Sequence, residues 1–147
     1  MGVLNRKTAD HIGMVVKDVY KTAAQMEAML GIGPWRINRA DDPKIGAKTL
    51  VGMAFMENGV EIELIQVLEG PIYHAEFVER AGEGIHHLGF ATDDVERDTA
   101  LLAAHGAKIV MHYPSFVSYL RFEGDGGVIT ELYRTRQPHQ PVQAQND

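Results

Sequence analysis

Short stretches of apolar residues alternate along the chain with stretches in which apolar residues recur at helical spacing. Residues 11–16 are apolar and partly β-branched, which predicts a strand. Asp18 is a residue type that begins helices. Behind it, apolar residues recur at spacings of four, three and four and so predict one helical face: Val19, Ala23, Met26 and Leu30. Gly31 is a residue type that ends helices, and we expect the helix to stop there.

The same patterns predict the remaining elements. In the first half we expect a loop from Asp41, a tight turn at Asn58 and Gly59, strands over 35–39, 48–56 and 60–67, and a short helix over 73–80. The order then starts again, with Asp94 before a second amphipathic helix. The second half is predicted to contain a strand over 85–91, a helix over 95–105, and strands over 107–113, 116–122 and 128–133.

Two sequence phrases repeat between the halves. Four residues of the first half recur 76 residues later: His11, Gly13, Asp18 and Val19 as His87, Gly89, Asp94 and Val95. A second phrase, Gly-Val-Glu-Ile-Glu-Leu at 59–64, recurs 68 residues later as Gly-Val-Ile-Thr-Glu-Leu at 127–132. Two matches in the same order predict two copies of a β-α-β-β-β unit, which together span about residues 9–134.

The repeat selects four candidate metal ligands. Each copy contributes a histidine from its first strand and a glutamate from its last strand, and a pseudo-twofold would bring the four together: His11, Glu63, His87 and Glu131. Because side chains alternate across a strand, the repeat favours His87 over His86, whose side chain is expected to point the other way. Two imidazoles and two carboxylates suit a divalent first-row metal, namely Co, Ni, Mn, Zn or Fe.

Composition excludes several other classes of protein. The chain has 147 residues, 45% of them hydrophobic, and no cysteine, which excludes a disulfide framework and a cysteine nucleophile. With 14 basic and 20 acidic residues its formal net charge is −6, which argues against nucleic acid as a partner. No apolar run is long enough to predict a membrane span or a secretion signal, so we expect a cytoplasmic protein with a small-molecule substrate.

Four stretches of the sequence resemble the vicinal oxygen chelate superfamily of glyoxalases, bleomycin resistance proteins and dioxygenases. They are His-Ile-Gly-Met-Val-Val at 11–16, Ile-Glu-Leu-Ile-Gln at 62–66, Gly-Glu-Gly-Ile-His-His-Leu-Gly-Phe at 82–90 and Gly-Val-Ile-Thr-Glu-Leu-Tyr at 127–133. The third stretch is most similar to methylmalonyl-CoA epimerases. The resemblance implies an α+β fold in which two paired βαβββ modules form a curved mixed sheet around a metal site, and it implies a homodimer.

This resemblance also implies a domain plan. We expect one domain over residues 1–147, built from module 9–67, a linker helix over 71–81 and module 85–134, with a disordered tail over 135–147. The expected activity is that of a metal-dependent isomerase, epimerase or lyase acting on a small oxygenated substrate, such as an acyl thioester, through an enolate. Glu131 or Glu63 would serve as the catalytic base.

One departure from the epimerases changes the expected activity. Those enzymes carry a further carboxylate in the strand before the hairpin of Glu63, whereas this chain has no acidic residue between Asp42 and Glu57 and has Lys48 near that position. The sequence therefore argues against methylmalonyl-CoA epimerase itself. The alternatives are a lyase of the glyoxalase I type, an Fe(II) ring-cleaving dioxygenase, and a protein that binds a drug or metabolite without catalysis.

Three further residues are candidate substrate-binding residues. Trp35 follows Gly33 and Pro34 and is a candidate wall of the substrate pocket. Tyr119 and Arg121 lie two apart on one predicted strand, so they share a face and are candidates for contact with an anionic group of the substrate.

Overall fold

A computed structural model describes residues 2–5 and 8–135 of the chain. Apart from Thr135, the predicted tail over 135–147 therefore lies outside the described residues. Within them the first half forms β1 (His11–Val15), α1 (Val19–Leu30), β2 (Arg36–Asp42), β3 (Ala47–Phe55) and β4 (Glu61–Glu69). Helix α2 (Tyr73–Ala81) follows, and the second half forms β5 (Gly84–Thr92), α3 (Val95–Ala104), β6 (Lys108–Tyr113), β7 (Val117–Arg121) and β8 (Ile129–Arg134).

The eight strands form one mixed sheet in the order β2-β3-β4-β1-β5-β8-β7-β6. Strands β1 and β5 are antiparallel neighbours at its centre, and each is flanked by the parallel last strand of its own half, β4 or β8. The sheet curves into a cup, and its two halves are related by a pseudo-twofold between β1 and β5. The predicted α+β fold of two paired βαβββ modules is confirmed.

Helices α1 and α3 cover the outer face of the cup. Helix α1 contacts β3 and β4, and α3 contacts β6, β7 and β8. A buried cluster on the outer side of the first half joins α1 to β4 and consists of Val16, Val19, Ala23, Ile62 and Leu64. The buried apolar residues of this cluster occupy alternate positions along the strand. The positions between them therefore face the inside of the cup.

Both predicted helix starts are confirmed. The Asp18 carboxylate accepts a hydrogen bond from the Lys21 backbone N–H at 2.9 Å, and the Asp94 carboxylate accepts one from the Arg97 N–H at 2.9 Å. Gly31 ends α1 in the left-handed conformation that glycine adopts readily.

Two details of the sequence pattern are wrong. Strand β2 does not end before Asp41 but continues to Asp42, because these two residues pair with Lys48 and Ala47 of β3. Leu30 does not extend the buried face of α1, since it is 68% exposed. Among the described residues, no helix combines the length and apolar character needed to cross a lipid bilayer.

Candidate metal centre

Four side chains meet on the inner face of the cup: His11 of β1, Glu63 of β4, His87 of β5 and Glu131 of β8. Their candidate ligand atoms all lie within 4.8 Å of one another. Nε2 of His87 lies 3.1 Å from Nε2 of His11, 3.2 Å from Glu63 Oε2 and 3.1 Å from Glu131 Oε2. Nε2 of His11 lies 3.6 Å from Glu63 and 3.5 Å from Glu131. The sequence repeat thus identified four residues that the fold brings to one point.

Strand register explains why these four positions converge. Gly13 of β1 lies opposite His87 on one side and beside Glu63 on the other. Gly89 of β5 has the equivalent neighbours from the other half, His11 and Glu131. The two halves therefore present their histidine and glutamate in equivalent positions on the central four strands.

The two glycines are required because each lies beneath the imidazole of the opposite half. A Cβ atom on Gly13 would overlap the ring of His87, and a Cβ atom on Gly89 would overlap the ring of His11. Each His-x-Gly phrase therefore contributes an imidazole to the cluster, and its glycine, two residues later, leaves space for the imidazole of the other half.

The cluster is buried and its charges are interdependent. Burial alone would raise the pKa of Glu131, but a hydrogen bond from His11 and the charges of His87 and His11 outweigh it and hold this pKa at about 2. Burial lowers the pKa of His11, but the hydrogen bond and charge of Glu131 and the charge of Glu63 raise it by more than burial lowers it. The net pKa of His11 therefore lies above its usual value. Without a metal, the buried carboxylates thus favour the protonated form of His11.

The donor set suits a divalent first-row cation. Imidazole nitrogens and carboxylate oxygens are ligands for Zn, Fe, Co, Ni and Mn, and two carboxylates balance a charge of +2. The glycines keep room around the rings, and the four donors come from rigid strands rather than loops.

A cavity of about 1140 Å³ opens from the cluster into the cup. Both halves contribute apolar and aromatic walls to it, including Val51, Met53, Met111, Val117, Tyr119 and Tyr133. The cavity therefore has room for the rest of an organic molecule, beyond the two oxygens that a metal could chelate.

The three predicted substrate-binding residues do not remain together. Tyr119 lines the cavity opposite Glu131 of β8, is buried, and forms a hydrogen bond with its carboxylate. Arg121 does not lie where a substrate contact was predicted. Its guanidinium pairs with Asp125 at 3.1 Å, and the residue is not part of the cavity wall. Trp35 does not form the predicted wall of the pocket. It packs on the outer-face cluster and donates its ring N–H to the Ile32 carbonyl at 2.7 Å.

The expectation that His86 points away from His87 is wrong. The pairing of β5 with β1 is irregular at this position, and Nδ1 of His86 lies 3.0 Å from Nδ1 of His87. His74 of α2 is also buried, lines the cavity and stacks on His86 with ring centroids 4.4 Å apart. The adjacent histidine pair was visible in the sequence, but a bulge that turns both rings to one side was not.

Comparison with known proteins gives a family match. Residues 10–119 match the model of the Glyoxalase/Bleomycin resistance protein/Dioxygenase superfamily. That span contains His11, Glu63 and His87 and ends before Glu131. The uncharacterized protein YqjC of Bacillus subtilis is 24% identical over 132 residues, which cover 84% of this chain and 89% of that protein.

Solved structures share the fold. The hypothetical protein BH1468 of Bacillus halodurans matches with a TM-score of 0.70 and 21% identity, over 90% of this chain and 97% of that one. A methylmalonyl-CoA epimerase of Streptomyces coelicolor, in complex with 2-nitronate-propionyl-CoA, matches with a TM-score of 0.66 and 22% identity, over 88% and 97% of the two chains. At these identities the likeness establishes the fold and leaves the reaction open.

We predict that Gly89→Ala destabilises the protein by about 1–3 kcal/mol, because the added methyl group forces the His11 ring from its position. Gly2→Ala is the matched control, since the nearest atom to its added methyl lies at 3.8 Å. Denaturant unfolding of metal-free protein measures both. Equal stability of Gly89→Ala and the unaltered protein would contradict the close approach of ring and backbone.

Proposed function

This chain belongs to the Glyoxalase/Bleomycin resistance protein/Dioxygenase superfamily, and we propose that it is a divalent-metal-dependent isomerase, epimerase or lyase. Its substrate would be a small oxygenated molecule that reacts through an enolate-type intermediate. The observation that carries the proposal is the convergence of His11, Glu63, His87 and Glu131 on one point at the base of a cavity.

The four cluster residues would hold the cation. A divalent metal bound there would supply positive charge to two neighbouring substrate oxygens and so make an adjacent C–H bond more acidic. The aromatic and apolar walls would exclude water and orient the rest of the substrate. Tyr119 would hold the Glu131 carboxylate through its hydroxyl.

A glutamate of the cluster is the proposed base. Glu131 is our first candidate, because it is ionised at neutral pH and is fixed by Tyr119 on the cavity wall. Glu63 is the second candidate. Its side chain is 16% exposed, against 7% for Glu131, so it is more accessible from the cavity.

The wall formed by β3 favours a reaction with one base over an epimerase with two. The positions of β3 that line the cavity are all without a carboxylate, namely Ala47, Thr49, Val51, Met53 and Phe55, whereas the epimerases that this sequence resembles carry a carboxylate in this strand. Lys48 does not replace it, because it forms an ion pair with Glu69 at 2.5 Å and is not part of the wall. A lyase or isomerase of the glyoxalase I type is therefore favoured. The CoA ligand of the Streptomyces coelicolor epimerase keeps acyl thioesters among the candidate substrates.

A second candidate function is binding of a drug or metabolite without catalysis, which the size and apolar walls of the cavity favour. A ring-cleaving dioxygenase would instead use His11, His87 and Glu131 with Fe(II) and leave Glu63 unliganded. Screening for solvent-proton exchange into acyl thioesters and α-hydroxy ketones, with oxygen consumption measured in parallel, separates these three functions.

We predict a homodimer. The outer strands β2 and β6 have one unpaired edge each within the described sheet, and exposed edges of this kind are usually covered. Light scattering at micromolar concentration should give twice the mass of the chain, and the mass of one chain would contradict the prediction.

Zinc affinity should rise with pH. The pKa of His11 lies above 6.5 in the metal-free protein, so its proton must leave before Nε2 can bind a cation. Below that pKa each pH unit should change the affinity about tenfold, and above it this contribution should level off. Competition with a chelator over about pH 6–9 measures the effect. An affinity independent of pH would contradict it, and His112→Asn, which alters a histidine paired with Glu96 away from the cluster, is the control.

The two kinds of ligand should respond differently to substitution. Glu131→Gln should lower turnover by about 10²–10⁴-fold and zinc affinity by much less, because an amide oxygen can still bind a cation but cannot take a proton. His11→Ala should instead act primarily on zinc affinity, and on turnover as a consequence of it, because this imidazole is proposed only as a ligand.

Steady-state turnover and metal competition on the same preparations check these two outcomes. If Glu131→Gln retains near-full turnover, Glu131 is not the base and Glu63→Gln becomes the decisive variant. If both glutamine variants remain fully active, proton abstraction by the cluster is excluded.

A further inference from the structure

The histidine pair of β5 lies at an irregularity of the sheet. Across β1, His87 lies opposite Gly13 and Ile85 lies opposite Met14, so His86 is an extra residue in the ladder. A bulge of this kind re-aims the side chains next to it. As a result the imidazoles of His86 and His87 are both fully buried, with their Nδ1 atoms 3.0 Å apart.

The cluster determines the direction of this hydrogen bond. Nε2 of His87 is the atom that faces Glu63 and Glu131, at 3.2 and 3.1 Å. An imidazole that offers its Nε2 lone pair to a cation carries its proton on Nδ1. That N–H of His87 then donates to Nδ1 of His86, and His86 must carry its own proton on Nε2.

Helix α2 fixes the ring of His86. His74 stacks on it with centroids 4.4 Å apart and an interplanar angle of 28°, while Tyr73 and Phe77 make edge contacts at 5.5 and 5.1 Å. Nε2 of His86 is buried and has no hydrogen-bond partner among the described residues. Because a buried N–H without a partner is unfavourable, an apolar side chain would suit this position better unless Nδ1 of the ring is needed.

We propose that His86 is a positioning residue for the metal centre: it accepts the Nδ1–H of His87 and so fixes the tautomer and ring orientation in which His87 Nε2 faces the other three ligands. His74 would hold His86 in place by stacking. This inference rests on the proposed function, because it assumes that the cluster binds a cation. It assigns a role to a residue that alternation along the strand would have placed elsewhere.

A second cation among His74, His86 and His87 is the competing explanation, since nitrogens of these three lie within 4.8 Å of one another. The geometry argues against it. Lone pairs of imidazole lie in the ring plane, and the planes of the stacked His74 and His86 rings are inclined by only 28° with centroids 4.4 Å apart, so lone pairs from both rings are poorly placed to meet at one cation. The 3.0 Å separation of the two Nδ1 atoms is a hydrogen-bond distance.

Nuclear magnetic resonance of zinc-loaded protein with ¹⁵N-labelled histidine tests the hydrogen bond directly. We expect the His87 proton on Nδ1, the His86 proton on Nε2, and a scalar coupling between the two Nδ1 nuclei across the hydrogen bond. An unprotonated His87 Nδ1, or a His86 whose proton lies on Nδ1, would overturn the proposal even if no variant could be purified.

Two substitutions separate the effect of the hydrogen-bond acceptor of His86 from the effect of its aromatic ring. His86→Phe keeps the aromatic packing and removes the acceptor, and it should lower zinc affinity by about 10–100-fold. His86→Asn removes the ring but keeps an acceptor near the position of Nδ1, and it should restore most of that loss. His105→Phe, at an exposed histidine bound to the Leu101 carbonyl, is the control and should bind zinc as the unaltered protein does.

The outcomes distinguish this inference from the proposed function. If the unaltered protein binds no zinc, the metal centre fails and the role of His86 fails with it. If it binds zinc and His86→Phe binds equally well, only the role of His86 is overturned. If it binds two zinc ions and His74→Phe removes one of them, the second cation site is correct instead.

Discussion

The close approach of two imidazoles at the pairing of β1 with β5 is the constraint on which the rest of the site depends. Nε2 of His11 and Nε2 of His87 are 3.1 Å apart. They reach that distance because each ring lies over a glycine of the opposite strand, at Gly13 and Gly89. Antiparallel pairing of the two first strands and glycine at the second position after each histidine are both needed. The equivalent register of β4 and β8 then places one carboxylate on either side.

Burial of this cluster is tolerable only because its charges are compensated. A carboxylate in an apolar environment ordinarily takes up a proton, yet the pKa of Glu131 is held at about 2 by its imidazole neighbours and Tyr119. One apolar cluster lies on the other face, between α1 and β4, and a second, formed by Val117, Tyr119 and Ile129, adjoins the polar residues on the inner face. Strand alternation thus brings the four polar side chains to the inside of the cup, where apolar and aromatic walls surround them.

Internal repetition made the fold and the cluster predictable from one sequence. Because His11 and His87, like Glu63 and Glu131, occupy matching positions of the two copies, the pattern identified all four without a known structure. Side-chain direction outside the repeat was less predictable. Arg121 shares a strand with Tyr119, but its contact with Asp125 depends on the turn that follows the strand. His86 departs from alternation because of a bulge that no residue type in the sequence specifies.

Anomalous diffraction from crystals of the zinc-loaded protein, recorded on both sides of the zinc absorption edge, tests the central claim most directly. The account predicts one strong peak per chain at a point within bonding distance of His11, Glu63, His87 and Glu131, and no peak there in the His87→Ala variant. Zinc found only at histidines away from the cluster, such as His105 and His112, or no stoichiometric zinc at all, would contradict it.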